Sequence, residues 1–395
     1  MMKAGDPMNF VIISPHFPPH YYRFWSAINH RGVNTLGIGE DLYDTLPSEV
    51  KDSLTEYYRV DDMTDYNQLL RACGYFTHRY GKIDEIESNN EFWLETDARL
   101  RTDFNVSGLK TQEMYPLKYK SGMKPVFQKT GVQAAPGKRI RDEDKSEAGV
   151  FVQEHGYPII AKPDNGVGAF ATYKLENQQD LETFLSHKLP VDYFFEKYID
   201  GTIHSFDGMV DQDGNIILES GLIYGTDVME SVNKDLDMFI YIPRKLPPKI
   251  LEVGRKAVEA FNLRKRFFHI EFFLLPDNEV VALEVNARPP GGMIVDMINY
   301  ANDLNVYELY AQLVTEGTFA AEIDRKFNCF YVGRKSHYEY TFSAEELVQE
   351  YPDAIVFNGP IPLAFASAMG DYALIIRTPT LEEGQEIREK AMKKR

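Results

Sequence analysis

Cysteine is scarce: the 395 residues hold two, Cys73 and Cys329. They offer no metal-ligand spacing and at most one pairing, which argues against a disulfide scaffold or a zinc cluster and for a reducing, cytoplasmic setting. No apolar run approaches the length of a membrane span. The opening residues, Met1 to Met8, show no apolar core after a basic start, so no signal peptide is expected and Met8 reads as a natural start. Basic residues are the minority, 43 Lys and Arg against 60 Asp and Glu, for a net charge of −17. That balance argues against nucleic acid or an anionic membrane as a partner. Internal repeats and low-complexity tracts are also lacking.

What remains is an ordinary globular composition, 44% hydrophobic and 26% charged, long enough for two or three domains with proper cores. Residues 9–14 form a buried, parallel-type strand by their apolar run. Helices are expected at 20–31, 65–80 and 90–103, and strands at 33–38 and 83–87. This alternation implies a small open α/β domain ending near Ser107-Gly108. Residues 118–130 read as a helix stopped by Gly131. A strand at 132–135, a helix at 141–155, strands around 157–162 and 174, and a helix at 178–186 make a compact α+β unit. Strands then dominate at 193–198, 203–210 and 215–224, with a helix at 247–261 and a strand pair at 267–288. The segment 327–390 mixes strands and helices, including a strand at 371–376 and a helix from 381.

The stretch Glu271-Phe-Phe-Leu-Leu-Pro-Asp277-Asn278-Glu-Val-Val-Ala-Leu-Glu284 carries the most information. Two apolar runs flank a polar turn, which predicts a β-hairpin. With Asp277 and Asn278 as a two-residue turn, Glu271 falls opposite Glu284 and His269 opposite Asn286. Alternation along the strand puts Glu284, Asn286 and Arg288 on one face. Two carboxylates opposed in apolar strands destabilise a sheet unless a cation sits between them. A hard divalent ion with oxygen ligands resolves the conflict, and a solvated sheet face is the alternative.

Two further stretches bear on chemistry. In Tyr157-Pro-Ile-Ile-Ala-Lys162-Pro-Asp-Asn-Gly166-Val-Gly168-Ala169 a strand ends in lysine and a loop carries two glycines. Lysine places a point charge on phosphate, and glycines let backbone N–H groups approach it; an ordinary hairpin turn is the alternative. In Phe194-Phe-Glu196-Lys197-Tyr198-Ile199-Asp-Gly201, an extended segment could offer backbone groups to a planar base, or simply be an edge strand.

In order, Lys120, Lys162 with its glycine loop, Glu196-Lys-Tyr-Ile, Glu271 and Glu284-x-Asn286-x-Arg288 resemble the ATP-grasp superfamily over about residues 9–316. Within it, the residues from His269 to Gly292 look most like carboxylate–amine ligases of the L-amino acid ligase type. The resemblance implies a mixed α/β and α+β fold in three parts. These are an N-terminal open α/β (Rossmann-like) domain at 8–107, a small lid subdomain at 108–195, and a larger mixed-sheet domain at 196–395 with a C-terminal extension. It implies that Lys120 and Lys162 bind ATP phosphates from the lid, while the loop 164–169, with Gly166 and Gly168, closes over them. Glu196, Lys197 and Ile199 would hold adenine, with His204 near the ribose. Glu271, Glu284 and Asn286 would ligate Mg²⁺, or Mn²⁺ in its place. Arg288 would steady an acyl phosphate, and Arg288 and Lys162 would be the catalytic pair. One departure is that Ala169 follows the second glycine, where many relatives have serine.

The activity implied is ATP-dependent joining of a small-molecule carboxylate to an amine, giving ADP and phosphate. Two other readings stand beside it, a carboxylase or carbamoyl-phosphate-synthetase type of enzyme using bicarbonate and a nucleotide-binding module without catalysis. The substrates are not named by the sequence, and a homodimer is left open. His16 and His20, after the first strand, either touch the acceptor or make local loop contacts. Arg244 either contacts an anion or is solvated, and Arg334 and His337 are further candidates for the cleft. Cys73 and Cys329 read as buried packing residues.

Overall fold

The computed structural model describes residues 7–167, 170–226, 228–321 and 323–395. The strand Asn9–Ile13 is buried along its whole length, as a strand covered on both faces must be. It is central in a four-stranded parallel sheet, between Asn34–Gly39 and Glu85–Glu87, with Glu56–Arg59 at the far edge. The helix Tyr22–His30 buries Phe24, Trp25, Ala27 and Ile28. The Phe24 ring meets those of Phe267, Tyr307 and Tyr310 from the large unit. The N-terminal unit is therefore joined to the large sheet through a shared apolar core.

A second, antiparallel sheet has the order Gly137–Ile140, Tyr193–Lys197, Ile159–Pro163, Tyr173–Leu175. Its helices, Ser146–His155 and Gln178–His187, enclose a core of their own around Phe151, Ile159 and Phe195. This small sheet begins at Gly137. The preceding strand, Gln133–Ala134, pairs with Val280–Asn286 of the large sheet instead. The helix Lys120–Lys129 likewise packs Met123 and Phe127 into the large unit's core, with Phe261 and Phe272. Lys120 thus comes from the large unit and Lys162 from the small one. The helix expected over 118–130 is divided at Tyr119, because Tyr115–Lys118 forms a separate turn.

The third sheet has ten strands. Its centre is Thr202–Val210 and Arg266–Leu274, and Met238–Ile242, which the sequence reading left unassigned, lies within it. The single strand expected over 215–224 is two, Ile216–Ser220 and Ile223–Tyr224. Gly221 marks the break, where a Cβ would come within 2.3 Å of the Ser205 carbonyl. The C-terminal strands Asn328–Arg334, Ile355–Pro360 and Tyr372–Thr378 continue this sheet rather than forming an appendage. Among the described residues, no helix is long and apolar enough to cross a membrane.

Candidate active site

The hairpin from Arg266 to Asn286 sets the position of the acidic groups. Glu271 is paired with Glu284 and His269 with Asn286. The turn that precedes this pairing differs from the expected one. Asn278 N–H donates to the Leu275 carbonyl at 2.9 Å, and Leu275 N–H donates to Glu279. Asn278 takes φ 68, so the loop holds three residues, Pro276 to Asn278. A three-residue loop ending in a left-handed residue is the next most common hairpin connection. It pairs Leu274 with Val280 and Phe272 with Ala282, one residue out of step with the Glu271–Glu284 pair. A β-bulge at Leu283 restores the step. An extra residue opposite none lets a strand shift its side chains by one position. The carboxylates therefore meet as expected, by a different route.

Each acid has neighbours that orient it. The Tyr224 hydroxyl donates to Glu271 Oε1 at 2.9 Å, and His269 Nε2 lies 3.1 Å from the same atom. His269 Nδ1 is 2.6 Å from buried Asp207. Burial opposes a charge on this imidazole, but Asp207 and Glu271 outweigh it and push its pKa up to about 10. Asn286 Nδ2 donates to Glu284 Oε1 at 3.2 Å. Burial would raise the Glu284 carboxyl, yet Lys120 and Lys162 hold it below the ordinary carboxylate value. Among the described residues, Glu271 Oε2 and Glu284 Oε2 keep no hydrogen-bond donor of their own, with the Lys120 ammonium 4.0 Å from the latter. No group of three or more His, Cys, Asp or Glu side chains is gathered for a metal among the described residues. Two carboxylates and an amide oxygen fit Mg²⁺, which keeps waters and substrate phosphates among its ligands, better than an ion needing a full protein cage.

Opposite the acids stands a cluster of ammonium groups. Lys162 Nζ is 2.5 Å from Glu196 Oε1, and Lys124 Nζ is 2.8 Å from Glu196 Oε2. All three side chains are buried. Burial would raise the Glu196 carboxyl, but the two lysines more than offset it and hold it at about 2. Lys120 Nζ donates to the Gly166 carbonyl at 2.6 Å. Asp164 fixes the start of that loop by accepting from Ser121 N–H at 2.8 Å and Ser121 Oγ at 2.6 Å. Gly168 and Ala169 lie outside the described residues. Lys124 was missed by the sequence reading. Its signal was present, since Lys120 and Lys124 are four apart on one helix face.

Arg288 is half-buried and reaches back to the N-terminal unit, with its Nη2 2.5 Å from Glu91 Oε2. The same nitrogen lies 3.5 Å from Asn286 Oδ1. Lys118 Nζ holds the Glu91 carbonyl at 2.8 Å. Glu91 as the partner of Arg288 was not legible, because the two are far apart in sequence.

Residues 155–296 match the ATP-grasp domain family. That stretch carries an ATP-grasp domain. The chain is 26% identical, over 289 residues, to an L-arginine-specific L-amino acid ligase from Bacillus subtilis; the match spans 70% of this chain and 67% of the relative. The chain also superposes on an L-amino acid ligase from Bacillus licheniformis with a TM-score of 0.75 at 16% identity, covering 98% and 97% of the two chains. A biotin carboxylase domain dimer of the 2-oxoglutarate carboxylase from Hydrogenobacter thermophilus, complexed with MgADP, ADP and bicarbonate, matches with a TM-score of 0.70 at 16% identity, over 98% and 90%. These likenesses establish the three-part fold.

Other expected residues fall less simply. The Lys197 ammonium is turned to the carbonyls of His155, Gly156 and Tyr157, at 3.0, 3.3 and 3.2 Å, so its side chain caps a helix of the small unit. His204 pairs with Phe272, on the sheet face away from Glu271, and its Nδ1 contacts the Thr202 carbonyl. Ile199 lies two residues past the end of the strand that carries Glu196. His16 makes a local contact with Asp41. His20 is half-buried, its Nε2 enclosed without a hydrogen-bond partner among the described residues, and burial together with the Arg23 charge lowers its pKa to about 4. Arg244 binds the carbonyls of Arg325 and Pro379. Arg334 is turned to the Ala391 carbonyl and His337 to Asp235, so neither joins the acids. Both cysteines are free and buried.

Proposed function

We propose that this chain is an ATP- and Mg²⁺-dependent carboxylate–amine ligase, forming an amide or peptide bond through an acyl phosphate. The observation that carries the reading is the Glu271–Glu284 pair, with Asn286 and Arg288 beside it, facing the Lys120, Lys124 and Lys162 ammonium groups. Glu271, Glu284 and Asn286 would hold the divalent ion, which supplies charge neutralisation on the transferring phosphoryl group. A substrate carboxylate oxygen attacks the γ-phosphorus, and the bond to ADP breaks. The amine then attacks the acyl carbon, phosphate leaves with the former carboxylate oxygen, and the nitrogen loses a proton. Lys162 and Lys120 carry the phosphate charge. Arg288, held by Glu91, would steady the acyl phosphate. Closure of the loop 164–169, with Gly166 and Gly168, over the phosphates would keep water from the intermediate. Glu196 and Ile199 are assigned to the adenine end, with Lys197 taking part through its backbone and His204 near the ribose.

The fold shared with the biotin carboxylase domain keeps bicarbonate as a second candidate for the carboxylate. A panel of amino acids and small carboxylates, scored by phosphate release, separates the two. Phosphate release that needs both an acid and an amine is expected; release that depends on bicarbonate with no amine would replace the ligase reading with a carboxylase one. Mg-ATP binding with no turnover across the panel would leave a binding module. The two free buried thiols accord with a cytoplasmic setting, and a homodimer is the assembly to test by mass.

A further inference from the structure

Residues of the N-terminal and large units, none of them in the lysine cluster, line a cavity of about 430 Å³. That size is typical of small-molecule sites. Five of its lining residues are basic, namely Lys82, Arg101, Arg264, Lys265 and Arg266, against Asp84, Glu85 and Glu87. Such an excess is notable in a chain of net charge −17.

The two arginines at its base are buried, Arg101 at 1% exposure and Arg266 at 5%. Both turn to one carboxylate. Arg101 NH1 lies 3.3 Å and Arg266 NH2 3.0 Å from Glu87 Oε2. Burial and Glu87 hold the neighbouring Asp97 carboxyl well above its usual range. Two guanidinium groups thus share the Glu87 carboxylate in a buried place. Each arginine also keeps a buried nitrogen with no hydrogen-bond partner, NH2 of Arg101 and Nε of Arg266. Buried cations short of partners are costly unless a counter-charge enters. Nearer the rim, Lys265 is tied to Glu85, Lys82 is 75% exposed and 4.0 Å from Asp84, and Arg264 donates to the carbonyl of its backbone neighbour, Leu263.

We propose that this cavity is a second ligand site, separate from the nucleotide cleft, for a small anion bearing a phosphate group. Guanidinium forks match the geometry of phosphate oxygens, and the rim cations draw the anion in. The site has two short connections to the reacting groups. Arg266 NH1 donates to the Ala287 carbonyl at 2.8 Å, one residue before Arg288. Glu87 opens the segment that ends at Glu91, the partner of Arg288. Occupancy is therefore expected to alter how Arg288 is held, and with it the turnover.

The test is calorimetric titration of inorganic phosphate and, separately, glycerol phosphate into the full chain saturated with Mg²⁺ and a non-hydrolysable ATP analogue. Saturable binding of at least one is expected. Tighter binding of the ester points to a phosphorylated metabolite, and equal binding points to free phosphate. The rim variant Lys82→Gln/Arg264→Gln should weaken the anion by about tenfold, while Glu85→Gln, which frees Lys265, should tighten it. Neither variant touches the nucleotide cleft, so analogue affinity should stay the same. Binding of neither anion, or binding that both variants leave unmoved, overturns the proposal.

Discussion

The two halves of the active site are charged in opposite ways and are stabilised in opposite ways. In the small unit and the helix beside it, Lys124 and Lys162 share Glu196, a buried trio with one positive charge in excess. On the hairpin, Glu271 and Glu284 face each other as an acidic pair, with His269 and Lys120 as partial counter-charges. The first excess suits phosphate oxygens and the second suits a metal ion. On the proposed reading, the difference teaches where specificity for each part of a metal–nucleotide complex resides. It lies in two preformed charge imbalances, one made where the small unit meets the helix Lys120–Lys129 and one on the hairpin.

The acidic half is where a single substitution should do most. Glu284→Gln is expected to reduce phosphate release by about 10²–10³-fold, with an unchanged circular dichroism spectrum. Near-normal turnover would remove Glu284 from the metal set. The cationic half should show itself next, in acid. The Glu196 carboxyl is held at about 2, below its unfolded value, so the stability it contributes is present above the unfolded pKa and fades as pH falls from about 4.5 towards 2. The linked contribution is about 3 kcal/mol. In urea titrations, the stability gap between the parent and Glu196→Gln should shrink across that window; a constant gap would mean the trio does not hold the carboxylate down.

Lys162→Ala should then weaken Mg-ATP binding by about tenfold, read by calorimetry, and an unaltered affinity would contradict the phosphate role. The smallest effect is expected at Lys197, whose ammonium meets carbonyl oxygens of the small unit. Lys197→Met should cost about 1 kcal/mol of stability and move nucleotide affinity less than about threefold. A larger loss of affinity would put its side chain, and not only its backbone, at the base.

Much of this contrast was legible in the sequence because it is local. The hairpin residues are within two strands of one another, and period-two alternation puts Glu284 and Asn286 on one face. The three-part alternation of strands and helices was equally readable. The domain seams were less so. Gln133–Ala134 reads as part of the small unit by proximity along the chain, yet it pairs with the large sheet, since strand pairing depends on contacts distant in sequence. Arg288 with Glu91, and Arg266 with Glu87, join residues from different units, and no spacing rule links them. Lys197 shows a subtler failure: the segment is where it was expected, but its long side chain turns towards a helix end.

Leu283 has one consequence for how such a chain can change over time. It has no opposite number on the neighbouring strand, so it works as slack between the turn and the acids. The loop at 275–279 can gain or lose a residue, and the extra length can be taken up at that unmatched position while the two carboxylates stay in step. The tip of the hairpin is thereby free to drift in sequence without disturbing the chemistry at its base.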